Sequence, residues 1–112
     1  MWDLFPFHPL LLETKPESIS FYNRKYVSKP LFGREGENTS IIFFENTIEE
    51  KNGEYGRYRK VFQEYYEMPK DKKGLNYQAG LFIANEVCGL GFRRDRKLIM
   101  ENCSEFAGHY II

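Results

Sequence analysis

Asn38-Thr39-Ser40-Ile41-Ile42-Phe43-Phe44, followed by Glu45 to Lys51, then Asn52-Gly53, then the aromatic-rich return Tyr55 to Tyr66, makes up most of the stretch Asn38 to Met68 on which the fold turns. A polar opening leads into a dense apolar run. Ile41 to Ile48 is rich in β-branched and aromatic residues, which suit a pleated, covered surface, so it reads as a strand. Its apolar start on both faces suggests cover on both sides. Asn52-Gly53 is a two-residue hairpin signal, because both residue types accept positive φ. A hairpin closed there pairs Lys51 with Glu54, Glu45 with Lys60, Phe43 with Phe62 and Phe44 with Val61. An ion pair, an aromatic pair and an aromatic–branched pair result, each favourable by roughly 0.2–1 kcal/mol across a sheet. Tyr58, Val61, Phe62 and Tyr65 also recur at helical spacing, with Lys60 four residues before Glu64. The Val, Phe and Tyr content favours the strand.

Upstream, Glu17 to Ser28 alternates like a strand between Pro16 and Pro30. Phe32 to Asn38 is a turn-rich loop. Gly33 and Gly36 lack the Lys-Ser/Thr of a phosphate loop, and Glu35 and Glu37 would repel phosphate. Residues 1–12 form an apolar N-terminal arm, with Pro6 and Pro9 opposing a regular helix. His8 sits inside it, far from other ligand residues. The arm either packs across the core or, through Trp2, Leu4, Phe5 and Phe7, forms a homodimer contact, because a soluble monomer rarely exposes such a patch.

Downstream, the spacing predicts helices. Asn76 stands as an N-cap, Tyr77, Leu81, Ala84 and Cys88 form one stripe, and Gly89 falls at a left-handed C-cap position. Ile99, Cys103, Phe106 and Tyr110 repeat the stripe, with a strand at His109 to Ile112 as the alternative. The expected fold is therefore α+β. A single compact domain, residues 1–112, holds an antiparallel hairpin or three-stranded sheet packed with one or two C-terminal helices. A mostly helical domain with a short hairpin is the alternative.

Composition narrows the function. The chain has 112 residues, 42% hydrophobic and 17% aromatic, enough for a core without disulfides or metal. Sixteen Lys and Arg balance sixteen Asp and Glu, which demotes a dedicated nucleic-acid binder. No apolar run approaches the ~20 residues of a membrane span, and no signal peptide is read, so a cytoplasmic protein without membrane contact is expected. Cys88 and Cys103 match no zinc spacing and are expected as buried free thiols. No metal or cofactor motif occurs. His8 and His109 stand at opposite ends of the chain, and no carboxylate pair is marked by its spacing.

The positive signal is Arg93, Arg94, Arg96 and Lys97, joined by Arg57, Arg59, Tyr55 and Tyr58. Arginine forks with exposed tyrosine make a partner-binding surface. The same pair of residue types suits phosphate and base stacking. The leading expectation is a non-enzymatic protein that occludes a partner protein, as inhibitors, immunity proteins and phage anti-defence proteins do. A nucleotide or nucleic-acid binder using the Arg/Tyr surface is the alternative. A small enzyme working through carboxylates or His109 comes third.

Overall fold

The structure, a computed structural model, describes residues 1–110 and 112. It contains strands, one short 3-10 turn and no α-helix among those residues. The strands are β1 (Thr14–Lys15), β2 (Tyr26–Pro30), β3 (Thr39–Phe43), β4 (Asn46–Lys51), β5 (Lys60–Glu64), β6 (Asn76–Ala84), β7 (Glu86–Asp95) and β8 (Glu105–Ala107), with the 3-10 turn at Ser18–Phe21. The chain divides into two compact units, Met1–Tyr66 and Glu67–Ile112.

The first unit is a five-stranded antiparallel sheet in the order β1-β5-β2-β3-β4. The apolar run from Ile41 is a strand, as its composition dictates, but its hairpin closes elsewhere. Phe44 and Glu45 both take positive φ, 46° and 65°, and turn β3 directly into β4, so that Phe43 pairs with Asn46. A bulge between Ile41 and Ile42 absorbs the irregular register. Positive φ is uncommon for Phe and Glu, so the turn could not be read from residue type. Asn52-Gly53 closes no two-residue turn; it opens the loop that leads to β5. There Gly53 lies against Glu37, whose Cβ would stand 2.5 Å from a Cβ added at position 53. The expected pairings of Phe43 with Phe62 and Phe44 with Val61 are absent. β5 is a strand, but it pairs with β2, setting Ser28 opposite Phe62 and Val27 opposite Gln63.

Phe21 and Ile41 are the fully buried side chains of this unit. The stretch Glu17 to Ser28 is not one strand. Ser18–Phe21 forms the 3-10 turn, and the strand begins only at Tyr26. The turn swings Phe21 over the sheet, where its ring stacks on Tyr26 at 5.9 Å. Tyr26 pairs with Glu64, two residues from Phe62, so Tyr26 and Phe62 are diagonal neighbours on one face and their rings meet at 6.1 Å. The N-terminal arm is not extended. It folds into turns, with Leu4 and Phe5 amides donating to Met1 oxygen, Phe7 at φ 62°, and the Trp2 and Phe7 rings edge to face at 5.8 Å. Leu4, Phe5, Phe7 and Leu10 remain exposed.

The second unit corrects the expected helices. β6 and β7 form one long antiparallel hairpin with β8 beside β7. The chain reverses at Asn85, which adopts φ 59°, a conformation asparagine tolerates. Residues at 81–84 are all apolar, so any periodicity can be threaded through them, including the helical one. The glycines decide otherwise. Gly80 faces Gly91 across the hairpin, and the Phe82 ring lies over Gly89 and Gly91. Gly80 would cost the interior of the expected helix about 1 kcal/mol. Asn76 caps nothing; its side-chain amide donates to the carbonyls of Arg96 and Lys97. Phe106 belongs to β8, and Cys103 precedes it in a turn. Both thiols are free and exposed rather than buried. Of the alternative strand at the C-terminus, His109, Tyr110 and Ile112 lie in no strand, and Ile111 lies outside the described residues.

Candidate functional site

Side chains alternate across a strand, so β7 sends Phe92 and Arg94 to one face and Arg93 and Asp95 to the other. The four basic residues read as one patch therefore do different things.

On the first face, Arg94 lies in a row across the sheet. It is opposite Tyr77 on β6 and Glu105 on β8. Its Nε donates to Glu105 at 3.0 Å and its Nη1 to Asp71 at 3.5 Å. Above this row opens a cavity of about 290 Å³ lined by Asp71, Tyr77, Phe92, Arg94, Ala107, Gly108 and His109. Phe92 meets Tyr77 edge to face at 6.2 Å and His109 at 5.1 Å. Arg94 is already matched by two carboxylates, so its charge is not free for a docked anion. The cleft suits a neutral amide or a cationic group over the ring faces rather than an anion.

On the second face, Arg93 grips the loop 96–104. Its Nη2 donates to the carbonyls of Glu101, of Asn102 at 3.0 Å and of Ser104 at 3.2 Å. Its Nε is buried without a partner among the described residues. Asp95 accepts from the Ser104 hydroxyl at 2.7 Å and from the Lys97 amide at 3.1 Å, while Ser104 Oγ accepts from the Glu101 amide at 2.8 Å. Asn76, Ser104 and Ile99 are the buried residues of this unit among those described, so its centre is largely a hydrogen-bonded knot. Lys97 pairs with Glu101, and Arg96 is exposed.

Two carboxylates of this unit, Asp95 in the knot and Asp71 beside Arg94, are held toward their charged form. The Ser104 hydroxyl, then the Lys97 amide, hold the Asp95 carboxyl below its ordinary 3.8. The Leu75 amide, then that of Lys73 and the charge of Arg94, do the same for Asp71. Both folded values lie below the unfolded one. Their stabilisation is therefore fully present above about pH 4 and is lost as pH falls below 3.8 through the lower folded values. An acid titration followed by amide NMR is expected to show loop 96–104 intact at pH 5 and loosening only below pH 3.8.

In the first unit, Tyr55 and Tyr58 stack at 6.1 Å, Phe32 meets Tyr58 at 5.9 Å, and the Arg57 guanidinium lies 5.1 Å over the Tyr58 ring. Arg59 is exposed, and its carbonyl accepts from the Leu31 amide. These four belong to Met1–Tyr66, the basic four of β7 and its loop to Glu67–Ile112.

Sequence reading overlooked Lys29. It lies half-buried on β2, inside the sheet, and its Nζ donates to the neutral Gln63 side chain at 2.7 Å. It forms no ion pair among the described residues. Burial pushes its pKa below the ordinary lysine value. A partly desolvated ammonium held by a neutral amide is a standing electrostatic cost that a docked anion would offset. The one signal in the sequence was a lysine inside a strand, followed by Pro30.

Comparison with known proteins decides the affiliation. The family model of the glutathionylspermidine synthase preATP-grasp region matches residues 1–112, the whole chain. The chain belongs to that family. It is 31% identical, over its full length, to a Haemophilus influenzae protein assigned as an acid–amine ligase, of which the match covers 30%. It is 26% identical to the bifunctional glutathionylspermidine synthetase/amidase of Escherichia coli, across 94% of the chain and 17% of that enzyme. It is 27% identical to the trypanothione synthetase of Crithidia fasciculata, across 91% of the chain and 16% of that enzyme. The chain thus spans less than a third of the length of these relatives. These matches overturn the expected non-enzymatic inhibitor, with its immunity and phage anti-defence variants, and the stand-alone nucleotide binder offered beside it. The family is one of ligases. No described helix is long and apolar enough to cross a membrane, and no described group of three or more His, Cys, Asp or Glu could hold a metal ion.

Proposed function

We propose that this chain is part of a ligase that joins a carboxylic acid to an amine, with glutathione and spermidine as the substrate types named by its relatives. The observation that carries the reading is the family match over the whole chain. Joining a carboxylate to an amine in water requires activation of the carboxylate, and the family's description ties this region to an ATP-grasp enzyme. Every stage from free acid to activated acid is anionic. Lys29, half-buried and opposed only by a neutral amide, is the residue of this chain best placed to hold such a charge.

The test mixes the purified chain with glutathione, spermidine and magnesium ATP, alone and together with the remaining part of the Haemophilus influenzae ligase. Mass spectrometry follows the amide product. Product is expected in the mixture, falling about a hundredfold with Lys29→Met, the usual scale for losing one charge-stabilising group. Absence of product in every combination, with both components folded, removes the reading. The same variant is expected to melt higher than the wild type at pH 7. A folded-state pKa below 10.5 means the folded protein releases its proton first, so wild-type stability rises with pH through the window just below 10.5. Lys29→Met lacks that rise, which thermal melts between pH 7 and 10.5 will register.

A further inference from the structure

We propose that the far half of the β6–β7 hairpin, residues 78–90, is a docking surface for the remainder of an acid–amine ligase, which adds a strand to the free edge of β6 and covers both faces of the hairpin. The proposal rests on the ligase reading above and goes beyond it by assigning a surface.

Three features of the hairpin converge. The first is the edge. β6 is the outermost strand of its sheet. Residues 69–71 cover its start, through the bridge of Lys70 with Asn76 and the Tyr77 amide donating to Pro69 oxygen. Beyond Tyr77 no described strand pairs with its outer side. The second is the faces. Leu81, Phe82 and Ile83 are 56%, 62% and 68% exposed, and Val87 is 64% exposed. Consecutive strand residues point to opposite faces, so both faces are apolar and both are bare. A sheet with one wet face would alternate apolar with polar; a run apolar on both faces is the pattern of a strand covered twice. The third is the missing protection. Exposed edges are normally blunted by Lys, Pro or inward charge. Residues 78–84 contain none, and Glu86 is the one charged residue between Tyr77 and Phe92. The one blunting device is a bulge between Phe82 and Ile83, and the register runs without a break from Asn76 to Phe82.

The occupant follows from what must be covered: one edge and two faces at once. A second copy related by a two-fold axis covers the edge or one face, and leaves the other bare. A larger body with its own strand and flanking layers covers all three, and the relatives carry such a body, since this chain matches 30% of one and 17% of another. Main-chain pairing would supply register and the apolar faces would supply affinity, as in strand addition generally. The matching surface on the ligase is apolar and uncharged, because Gln78–Ala84 offers no charge to pair with.

The experiment combines the full 112-residue chain with the part of the Haemophilus influenzae ligase outside the matched region. Light scattering gives stoichiometry, and hydrogen exchange reads the amides of residues 78–84. The expected result is a 1:1 complex in which those amides slow at least tenfold, with affinity lowered at least tenfold by Ile83→Lys. That side chain is exposed, so the isolated variant keeps the wild-type circular dichroism; Tyr110→Ser, at a still more exposed position elsewhere, leaves affinity unchanged. A complex whose 78–84 amides stay fast, or that tolerates Ile83→Lys, overturns the proposal while amide synthesis by the mixture still upholds the ligase reading. A homodimer protecting the same amides in place of the complex assigns the surface to a second copy and overturns it as well. No complex, with those amides exchanging freely, also overturns it, and the synthesis assay then judges the ligase reading separately.

Discussion

Replacing Phe21 with alanine is expected to destabilise residues 1–66 by about 3–5 kcal/mol, the usual cost of deleting a buried phenylalanine. Phe21 is fully buried and carries the packing of the 3-10 turn onto the sheet. Its ring stacks on Tyr26 and lies beneath the Arg24 guanidinium at 4.6 Å. Arg24 in turn pairs with Glu13, beside β1. Removing the ring leaves a cavity and takes the stacking partner from Tyr26, so part of the diagonal contact between β2 and β5 loosens too. The check is urea unfolding followed by exchange at the β5 amides, which report the first unit directly. Phe21→Leu should recover most of the loss, because it refills the volume. A loss below about 1 kcal/mol would show that the ring is not the centre of this unit.

The second large effect is expected at Arg93→Ala. Hydrogen bonds to a charged group contribute roughly 1.5–3 kcal/mol, and two of the three here are part-buried. Arg93 serves the carbonyls of Glu101, Asn102 and Ser104 at once. The expected loss is therefore about 3 kcal/mol in the second unit, with loop 96–104 becoming fast in hydrogen exchange. Arg93→Lys should restore less than half, since all three carbonyls are served from Nη2, which lies one bond beyond the point a lysine ammonium reaches. By contrast Arg96→Ala, at an exposed position, should change stability by less than about 0.5 kcal/mol. Equal effects at positions 93 and 96 would contradict the division of labour that β7 imposes.

That division was invisible in the sequence. Arg93, Arg94, Arg96 and Lys97 look like one basic patch only if the segment is a helix or a disordered run. In a strand, neighbours part company, and the two arginines end on opposite faces with different carboxylates and carbonyls. Their partners lie 8 to 23 positions away, as Glu101 does from Arg93 and Asp71 from Arg94, and no local pattern announces such pairs. Lys29 was overlooked for the same reason: its meaning comes from burial beside Gln63, 34 residues on.

Much of the strand content was legible. The apolar run from Ile41 and the Val61-Phe62 segment are strands because β-branched and aromatic side chains dominate them. The helices expected after Asn76 failed because a continuous apolar run carries no period of its own. Gly80 and the Asn85-Glu86 break were the signals against them, the first explained by close pairing with Gly91 and the second by a reversal of the chain.

Local chemistry thus settled residue propensity: where β-branched runs favour strands, where prolines stop regular structure, and that no apolar segment is long enough to span a bilayer as a helix. Partnership belonged to the tertiary structure. It chose Phe44-Glu45 over Asn52-Gly53 as the turn, because β3 must lie between β2 and β4 and a two-residue reversal at Phe44-Glu45 is what that order requires. It turned Asn76 from a cap into a bridge to loop 96–104, because the amide's partners are carbonyls twenty residues away. And it left Leu81, Phe82 and Ile83 bare, because β7 and β8 lie beside β6 in one sheet and cover neither of its faces.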